Sequence, residues 1–181
     1  MSRVHRLTIV SLLMLTLPVV STAEAQGAAQ TRAGFWFSAG PAWGSLGCDG
    51  CNARVEALSA SVSVGATLSP LMLVGVGLAG WSKSEDGASL QVSMIDARLR
   101  FYLSETGSFF FTAGGGLGSI SAELVGVGSD SQVGLGLLGG MGYDIGFDRG
   151  MSATPFVQWF MVKTQDADAN VVQFGLSITT H

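Results

Sequence analysis

The chain has 181 residues, of which 48% are apolar, 12% are charged and 26 are glycine. The charged fraction is about half the usual quarter, which excludes a disordered polyelectrolyte, and the length suits one domain with a sizeable core. A formal net charge of −4 and an isoelectric point near 4.9 argue against a nucleic-acid-binding protein, because such a protein needs a basic face. The mean hydropathy of +0.44 is high for a soluble domain, so we expect contact with a membrane.

Residues 1–25 have the organisation of a secretory signal peptide. A positively charged start precedes an apolar stretch at 7–20, and Ala23 and Ala25 provide the small residues that a signal peptidase requires. The apolar stretch is shorter than the roughly 20 residues of a membrane-spanning helix. We therefore predict cleavage and export, with a mature chain that begins near Gln26.

The two cysteines, Cys48 and Cys51, are separated by two residues. In an exported protein this spacing favours a small disulfide loop, with free thiols as the alternative. A single pair of this kind, without a second pair or neighbouring histidines, is a poor zinc site, so no metal is expected.

The mature chain alternates apolar and small polar residues with a period of two, which is typical of β-strands that bury one face. In the clearest segment Leu58, Ala60 and Val62 alternate with Ser59 and Ser61. The predicted strands are 34–44, 55–68, 72–81, 89–103, 108–119, 133–146, 152–163 and 171–180. Their lengths reach the roughly 9–11 residues of a tilted spanning strand, and their number is even. The pattern predicts an all-β protein, an eight-stranded antiparallel up-and-down transmembrane β-barrel.

Two details of the pattern carry further expectations. The alternation changes phase within 89–103, so a β-bulge near Met94 and Ile95 is predicted to keep both apolar sets outward. The longest connection is predicted at 120–132, with an extension of the strands beyond the membrane at Leu124, Val125 and Val127 as the alternative. The odd-numbered connections are expected to be longer than the even-numbered ones. Long extracellular loops and short periplasmic turns are characteristic of membrane barrels.

Alternation alone also fits a soluble, lipocalin-like barrel that binds a ligand inside. Glycine, serine, threonine and alanine dominate the second face, whereas the outside of a soluble barrel carries many charges. Small residues suit the narrow interior of an eight-stranded barrel, so the membrane barrel is favoured. Seven aromatic residues near strand ends are predicted to lie at the lipid interface: Phe35, Trp43, Trp81, Phe101, Phe109, Tyr143 and Phe174.

With its export signal, eight alternating strands and glycine-rich second face, the chain resembles the small outer-membrane β-barrel proteins of the OmpA/OmpX type. The resemblance implies a monomer in the cell outer membrane, with both termini periplasmic and with outer-membrane lipids, lipopolysaccharide and the outer-membrane assembly machinery as partners. The chain ends on His181 rather than on the aromatic residue common in this family. The predicted division is a signal peptide at 1–25, a short periplasmic segment at 26–33 and the barrel at 34–181.

Four charged residues are predicted to face the lumen: Asp96, Arg98, Arg100 and Asp144. Charges in a narrow interior must be paired, because an uncompensated buried charge costs several kcal/mol, of order 3–5. We interpret them as a salt-bridged plug, with a gated ion path as the alternative.

Catalysis has little support in the sequence. His181 is the only histidine of the mature chain, and although Ser177 shares its face, no acid is placed by the pattern to orient the imidazole. Residues 134–139 match a dinucleotide-binding glycine motif but lie within a strand, where the motif has no meaning. We expect a non-enzymatic protein without cofactor, with a structural or surface-interaction role and a filled lumen. The alternatives are the soluble ligand-binding barrel, a narrow porin-like channel and a lipid-modifying barrel enzyme.

Overall fold

A computed structural model describes residues 32–48, 53–124, 126, 128–148 and 150–181. The described residues form nine antiparallel β-segments: β1 (Phe35–Cys48), β2 (Val55–Ser69), β3 (Met72–Glu85), β4 (Ala88–Tyr102), β5 (Phe109–Leu124), β6 (Gly128–Tyr143), β7 (Ile145–Asp148), β8 (Met151–Lys163) and β9 (Asp168–Thr180). In this part of the chain no helix has the length and apolarity needed to cross a membrane.

Two of the nine segments belong to one strand of the barrel. β6 and β7 are separated only by Asp144, and both pair with β8 in one register as far as Gly146, with a shift before Asp148. Gly142 lies opposite Phe156 and Ile145 lies opposite Ala153. The wall therefore has eight strands.

The sheet closes on itself because β1 pairs with both β2 and β9. Followed strand by strand, the register leads from Ala39 through Val62, Leu78, Ile95, Leu117, Leu135 and Lys163 to Asp168. Ala39 itself pairs with Ile178, which lies ten residues further along β9. A stagger of this kind requires tilted strands, typically by about 35–45°. The predicted eight-stranded, up-and-down antiparallel barrel is confirmed.

The two ends of the barrel differ. Residue 32 and His181 lie at one end with connections 70–71, 103–108 and 149–150, and we call this the terminal end. Connections 49–54, 86–87, 125–127 and 164–167 form the opposite, loop end.

The outer surface of the wall is apolar and the inner surface is mostly small or polar, as the alternation predicts. On β2, Val62 and Val64 are exposed whereas Ser61 and Ser63 are buried. At outward-facing positions of the described strands, charged residues occur only near the strand ends: Glu56, Glu123, Lys163 and Asp168 at the loop end and Asp148 at the terminal end. A continuous uncharged band thus surrounds the barrel between its two ends.

The predicted bulge in β4 is wrong. Register with both neighbouring strands is continuous through Met94 and Ile95, and Val92 and Met94 point inward with at most 1% exposed. Towards the loop end the lumen is apolar, and the outward-facing Gln91 lies beyond the apolar band. The apolar residues of β4 therefore face the lumen near the loop end and face outward further along the strand, and the strand itself stays regular.

The predicted long connection at 120–132 is also wrong, whereas the alternative, extension of the strand through Leu124, is confirmed. β5 continues to Leu124 and β6 begins at Gly128, so only residues 125–127 connect them. Nor are the odd connections consistently longer, since 49–54 and 103–108 have the same length. Serine-rich residues that face water on both sides lack apolar alternation but still continue the hydrogen-bonded ladder. Strands β3 to β6 consequently extend beyond the rest of the barrel at the loop end, and we call this extension the protruding sheet.

Candidate functional sites in the lumen and the protruding sheet

The loop-end half of the lumen is filled by apolar side chains, which we call the apolar plug. Its buried members are Leu46, Ala57, Ala79, Trp81, Val92, Met94, Leu138, Phe160, Val162, Ala169 and Val171. Trp81 is 1% exposed, and its indole N–H donates to the Gly44 carbonyl oxygen over 3.0 Å. Gly44 allows this approach, because a β-carbon there would lie 2.6 Å from Trp81 Cδ1.

Trp81 was predicted at the lipid interface, and that assignment is wrong. It shares its odd position along β3 with the buried Leu73 and Ala79, so strand parity places it inside. The other six aromatic residues of that prediction occupy outward-facing positions: Phe35, Trp43, Phe101, Phe109, Tyr143 and Phe174. Trp43 at the loop end donates from its indole N–H to Glu56 Oε2 over 3.3 Å, so its polar edge points away from the apolar band.

The structure brings Asp96 and Arg98 together on β4. Arg98 Nε donates to Asp96 Oδ1 over 2.7 Å and Nη2 donates to Oδ2 over 2.6 Å, in a two-pronged pair. The side chains are 3% and 0% exposed for Arg98 and Asp96. The guanidinium lies over Gly77 of β3, where any side chain would collide with it. Two parallel charge-assisted hydrogen bonds in a buried site form a strong, directional interaction.

Arg100 is not part of that pair. Its guanidinium carbon lies 4.7 Å from the ring centroid of Trp36 and 4.1 Å from that of Phe110. Among the described residues it has no carboxylate within ion-pair distance, and its Nε and Nη1 have no hydrogen-bond partner. Arg100 is therefore a buried cation held between two aromatic faces.

Asp144 occupies the mouth of the lumen at the terminal end. Its carboxylate accepts hydrogen bonds of 2.6 Å from Tyr102 Oη and from Thr154 Oγ1. His181 Nε2 lies 3.6 Å from Asp144 Oδ2, beyond hydrogen-bond distance, and the imidazole is fully buried. The sequence pattern identified no acid beside His181, because the two residues belong to strands on either side of β8 that are far apart in the chain.

Arg32 closes the terminal mouth, a role that the sequence gives no sign of. Its guanidinium carbon lies 3.5 Å from the Tyr102 ring centroid. The nitrogens donate to the carbonyl oxygens of Pro70, Glu105 and Gly107 in two neighbouring turns. The segment at 26–33, predicted to be a simple periplasmic lead-in, thus contributes at least one residue to the barrel mouth.

A small cavity lined by both polar and apolar side chains lies between the apolar plug and the terminal mouth. The centre of a water molecule can occupy about 20 Å³ of it. Residues that line it include Ser61, Ser63, Phe110, Gln158 and Ser177, together with Arg98 and Arg100.

The protruding sheet has a free edge along β6. The ladder between β6 and β8 begins at Leu135 opposite Lys163, so residues 128–134 pair only with β5. The Asp144 N–H donates to the Ser108 carbonyl oxygen of the β4–β5 connection, over 3.0 Å. Because backbone groups alternate in direction along a strand, Ser131 and its odd-numbered neighbours point their N–H and C=O groups away from β5.

Serines cover the outer face of the protruding sheet, and its charge is negative. Ser121 and Ser131 are hydrogen-bonded across the strands at 2.9 Å. Lys83, hydrogen-bonded to Glu85 at 2.8 Å, lowers the pKa of that carboxyl group. Described charged residues at the loop end are Arg54, Lys83 and Lys163 against Glu56, Glu85, Asp86, Glu123, Asp130, Asp166 and Asp168.

Comparison with protein-family models gives no match, and no curated protein matches the chain. Solved structures do match. Ail, the attachment invasion locus protein of Yersinia pestis, is 12% identical and superposes with a TM-score of 0.62 over 82% of this chain and 99% of Ail. Neisserial surface protein A is 15% identical, with a TM-score of 0.62 over 82% and 97%. The N-terminal β-barrel domain of OprF from Pseudomonas aeruginosa is 13% identical, with a TM-score of 0.53 over 83% and 99%.

The chain has the fold of the small outer-membrane β-barrel proteins. The resemblance noted from the sequence is thereby confirmed at the level of fold. At identities of 12%, 15% and 13%, this similarity shows the barrel fold and its topology.

Cys48 and Ser177 both have bonding partners in the structure. Cys48 is disulfide-bonded, and its predicted partner Cys51 lies outside the described residues. Ser177, the hydroxyl on the same face as His181, is hydrogen-bonded to Ser38 over 3.0 Å and to the Thr154 carbonyl oxygen over 3.4 Å. Within the described ranges, no group of three or more His, Cys, Asp or Glu side chains is placed to hold a metal ion.

Proposed function

We propose that this protein is a non-enzymatic integral protein of the outer membrane that interacts with other molecules at the cell surface. One observation carries the proposal: an uncharged apolar band encircles a closed barrel, and a polar sheet protrudes beyond that band at one end. Lipid cannot satisfy open backbone groups, so a closed barrel is the only β-structure that can lie in a membrane. Outer-membrane lipids would contact the band, and lipopolysaccharide would meet its loop-end edge.

The proposed orientation puts both chain termini in the periplasm. In barrels of this kind short turns face the periplasm and the longer structures face outward. The terminal end carries turns at 70–71 and 149–150, whereas the loop end carries the protruding sheet. Export by a signal peptide at 1–25 and insertion by the outer-membrane assembly machinery belong to the same proposal, as does a monomeric state.

The filled lumen supports this function over a soluble ligand-binding barrel. A lipocalin-like protein needs an apolar cavity for its ligand, but here the apolar half of the lumen is occupied by the protein's own side chains. If the protein were soluble, its exposed apolar band would face water without any apolar partner. Both observations favour lipid outside and no apolar ligand inside.

We expect the barrel not to conduct ions. The apolar plug blocks the loop end, where Phe160 and Val92 are fully buried, and Arg32 and Tyr102 block the terminal end. The refolded protein, added to a planar lipid bilayer, should therefore give no single-channel current steps at salt concentrations where a porin does. Regular, voltage-stable steps from the purified barrel would contradict a closed lumen and favour the narrow channel.

The absence of catalysis is supported by the state of the candidate groups. The His181 imidazole makes no hydrogen bond to Asp144 or to any hydroxyl, and it is closed off from solvent and from lipid. A nucleophilic serine needs a histidine within hydrogen-bond reach. Ser177 instead donates and accepts within the wall.

For the surface role we propose that the free edge of β6 binds an extended, positively charged segment of a partner protein. An unpaired edge offers backbone groups to an added strand, and alternate side chains of that strand would meet the acidic sheet. Ail is named as an attachment protein and has also been solved with the heparin analogue sucrose octasulfate. A polyanion of that kind suits this chain poorly, because carboxylates outnumber cations at its loop end.

Replacing Ser131 by proline should weaken strand addition. The change removes an N–H that points to the free edge, but it leaves the β5 ladder intact because Ser131 directs its backbone groups away from β5. The probe is a fluorescent peptide of alternating lysine and threonine, and its binding is measured by fluorescence anisotropy. We expect its dissociation constant to rise about tenfold, which corresponds to the loss of about one hydrogen bond.

Ser131→Ala is the matched control, because it removes the hydroxyl and keeps the N–H. It should bind the peptide as the unmodified protein does. The Ser131→Pro variant counts as folded if its unboiled sample gives a compact gel band that shifts on boiling. If this folded variant still binds the peptide normally, the edge is not the docking site.

A further inference from the structure

Two side chains that line the central cavity, Arg100 and Gln158, have hydrogen-bond donors without an acceptor. Arg100 Nε and Nη1 and Gln158 Nε2 are buried without a hydrogen-bond partner, and both residues line the cavity. Arg100 is 6% exposed and Gln158 is 4% exposed. Buried donors are almost always satisfied in native proteins, so unsatisfied donors that converge on one cavity point to an acceptor bound there.

The cavity also has an excess of positive charge at close range. Asp96 binds Arg98 through both carboxylate oxygens, and Asp144 directs its oxygens to Tyr102 and Thr154. Arg100 consequently has no carboxylate in direct contact, and Asp144 interacts with it electrostatically only from beyond ion-pair distance. A buried charge without a direct partner is destabilising. A water molecule in the cavity would accept hydrogen bonds but would not neutralise the guanidinium.

The size of the cavity limits the ligand. About 20 Å³ is open to the centre of a water molecule, and one water needs roughly 10–15 Å³ on this measure. Chloride and bromide are larger than a water molecule but smaller than sulfate and larger oxyanions, so among common anions a halide suits the cavity best. The hydroxyl groups of Ser61 and Ser63 on the cavity wall can rotate to donate to such an ion.

We infer that a monovalent anion of halide size binds inside the barrel between Arg100 and Gln158. The ion would accept from one of the unpartnered Arg100 nitrogens, Nε or Nη1, and from the Gln158 amide. It would compensate the buried charge that the Trp36 and Phe110 faces only partly stabilise. The site is structural, since the apolar plug separates it from the loop end.

Bromide diffraction on the unmodified protein tests the site directly. Crystals grown in sodium bromide should show an anomalous bromine peak in the cavity, within hydrogen-bond distance of Arg100 and Gln158. A cavity that contains only water density in those crystals would overturn the inference.

The halide should also stabilise the fold. The unfolding equilibrium is compared in sodium bromide and in sodium gluconate at equal ionic strength, because gluconate is too large for the cavity. When bromide exceeds its dissociation constant about a hundredfold, the unfolding equilibrium constant should fall about a hundredfold. No difference between the two salts would contradict the proposal.

A pair of glutamines provides the matched variants. Gln173 lies opposite Gln158 in the β8–β9 register and also has an unpartnered Nε2, but it does not line the cavity. Gln158→Leu should remove most of the bromide effect, whereas Gln173→Leu should keep it. An equal bromide effect in both variants would exclude the site, and the diffraction result decides by itself if Gln158→Leu does not fold.

Discussion

An arginine at Val64 should destabilise the folded barrel in lipid by about 2–4 kcal/mol, the usual cost of a cation on the lipid face near the membrane midplane. Val64 points outward from β2 and is 45% exposed in the isolated protein. It lies within the uncharged band, away from both ends of the strand. The loss would be measured as a lower free energy of unfolding in urea for the protein refolded into phospholipid vesicles.

Val133→Arg is the control, because it makes the same substitution at an outward-facing, 66% exposed position in the protruding part of β6. In a membrane barrel this position lies in water, so its variant should unfold with nearly the same free energy as the unmodified protein. In a soluble barrel both valines face water, and the two arginines should be equally harmless. Equal effects of Val64→Arg and Val133→Arg would thus refute the membrane location.

Removal of Asp96 should cost about 3–5 kcal/mol of folding free energy, because Asp96→Ala leaves the Arg98 guanidinium buried without its counterion. The pair is almost completely buried, and Gly77 confines the guanidinium from the neighbouring strand. Equilibrium unfolding in urea, followed by tryptophan fluorescence, gives the size of the loss.

The double variant Asp96→Leu with Arg98→Met separates the pair from its surroundings. Replacing a whole buried ion pair by apolar residues of similar volume is often neutral, so the double variant should recover most of the stability that Asp96→Ala loses. If Asp96→Ala is as stable as the unmodified protein, then Arg98 does not depend on Asp96 and the description of the lumen as charge-paired is wrong.

Much of the barrel could be predicted because strand periodicity is a local property. Side chains two residues apart share a face, so Val62 and Val64 indicate one surface and Ser61 and Ser63 indicate the other without knowledge of any partner strand. Parity also places Asp96, Arg98 and Arg100 on one face of β4. It would have placed Trp81 inside as well, but its size and its position near the strand end suggested a lipid interface.

The sequence-based predictions are wrong where they assume that the surroundings of a strand stay the same along its whole length. Val92 and Met94 were assigned outward because an apolar residue was assumed to face lipid, yet the lumen itself becomes apolar towards the loop end. The sequence predicts a loop at 120–132, where serine and glycine interrupt the apolar alternation. These residues extend two strands, since backbone pairing needs no apolar face.

The sequence by itself determined most of the wall of this protein: strand number, antiparallel order and, apart from Trp81 and the first half of β4, the face on which the residues of the strands lie. These follow from the two-residue period and the turn positions. Only the tertiary structure decided what meets inside. Asp96 binds Arg98 and leaves Arg100 between two aromatic rings, Asp144 lies beside His181, and Arg32 closes the mouth. The physical reason is that periodicity assigns a side chain to a face, whereas its partner across the lumen is set by closure, stagger and strand tilt, which bring together residues from distant parts of the chain.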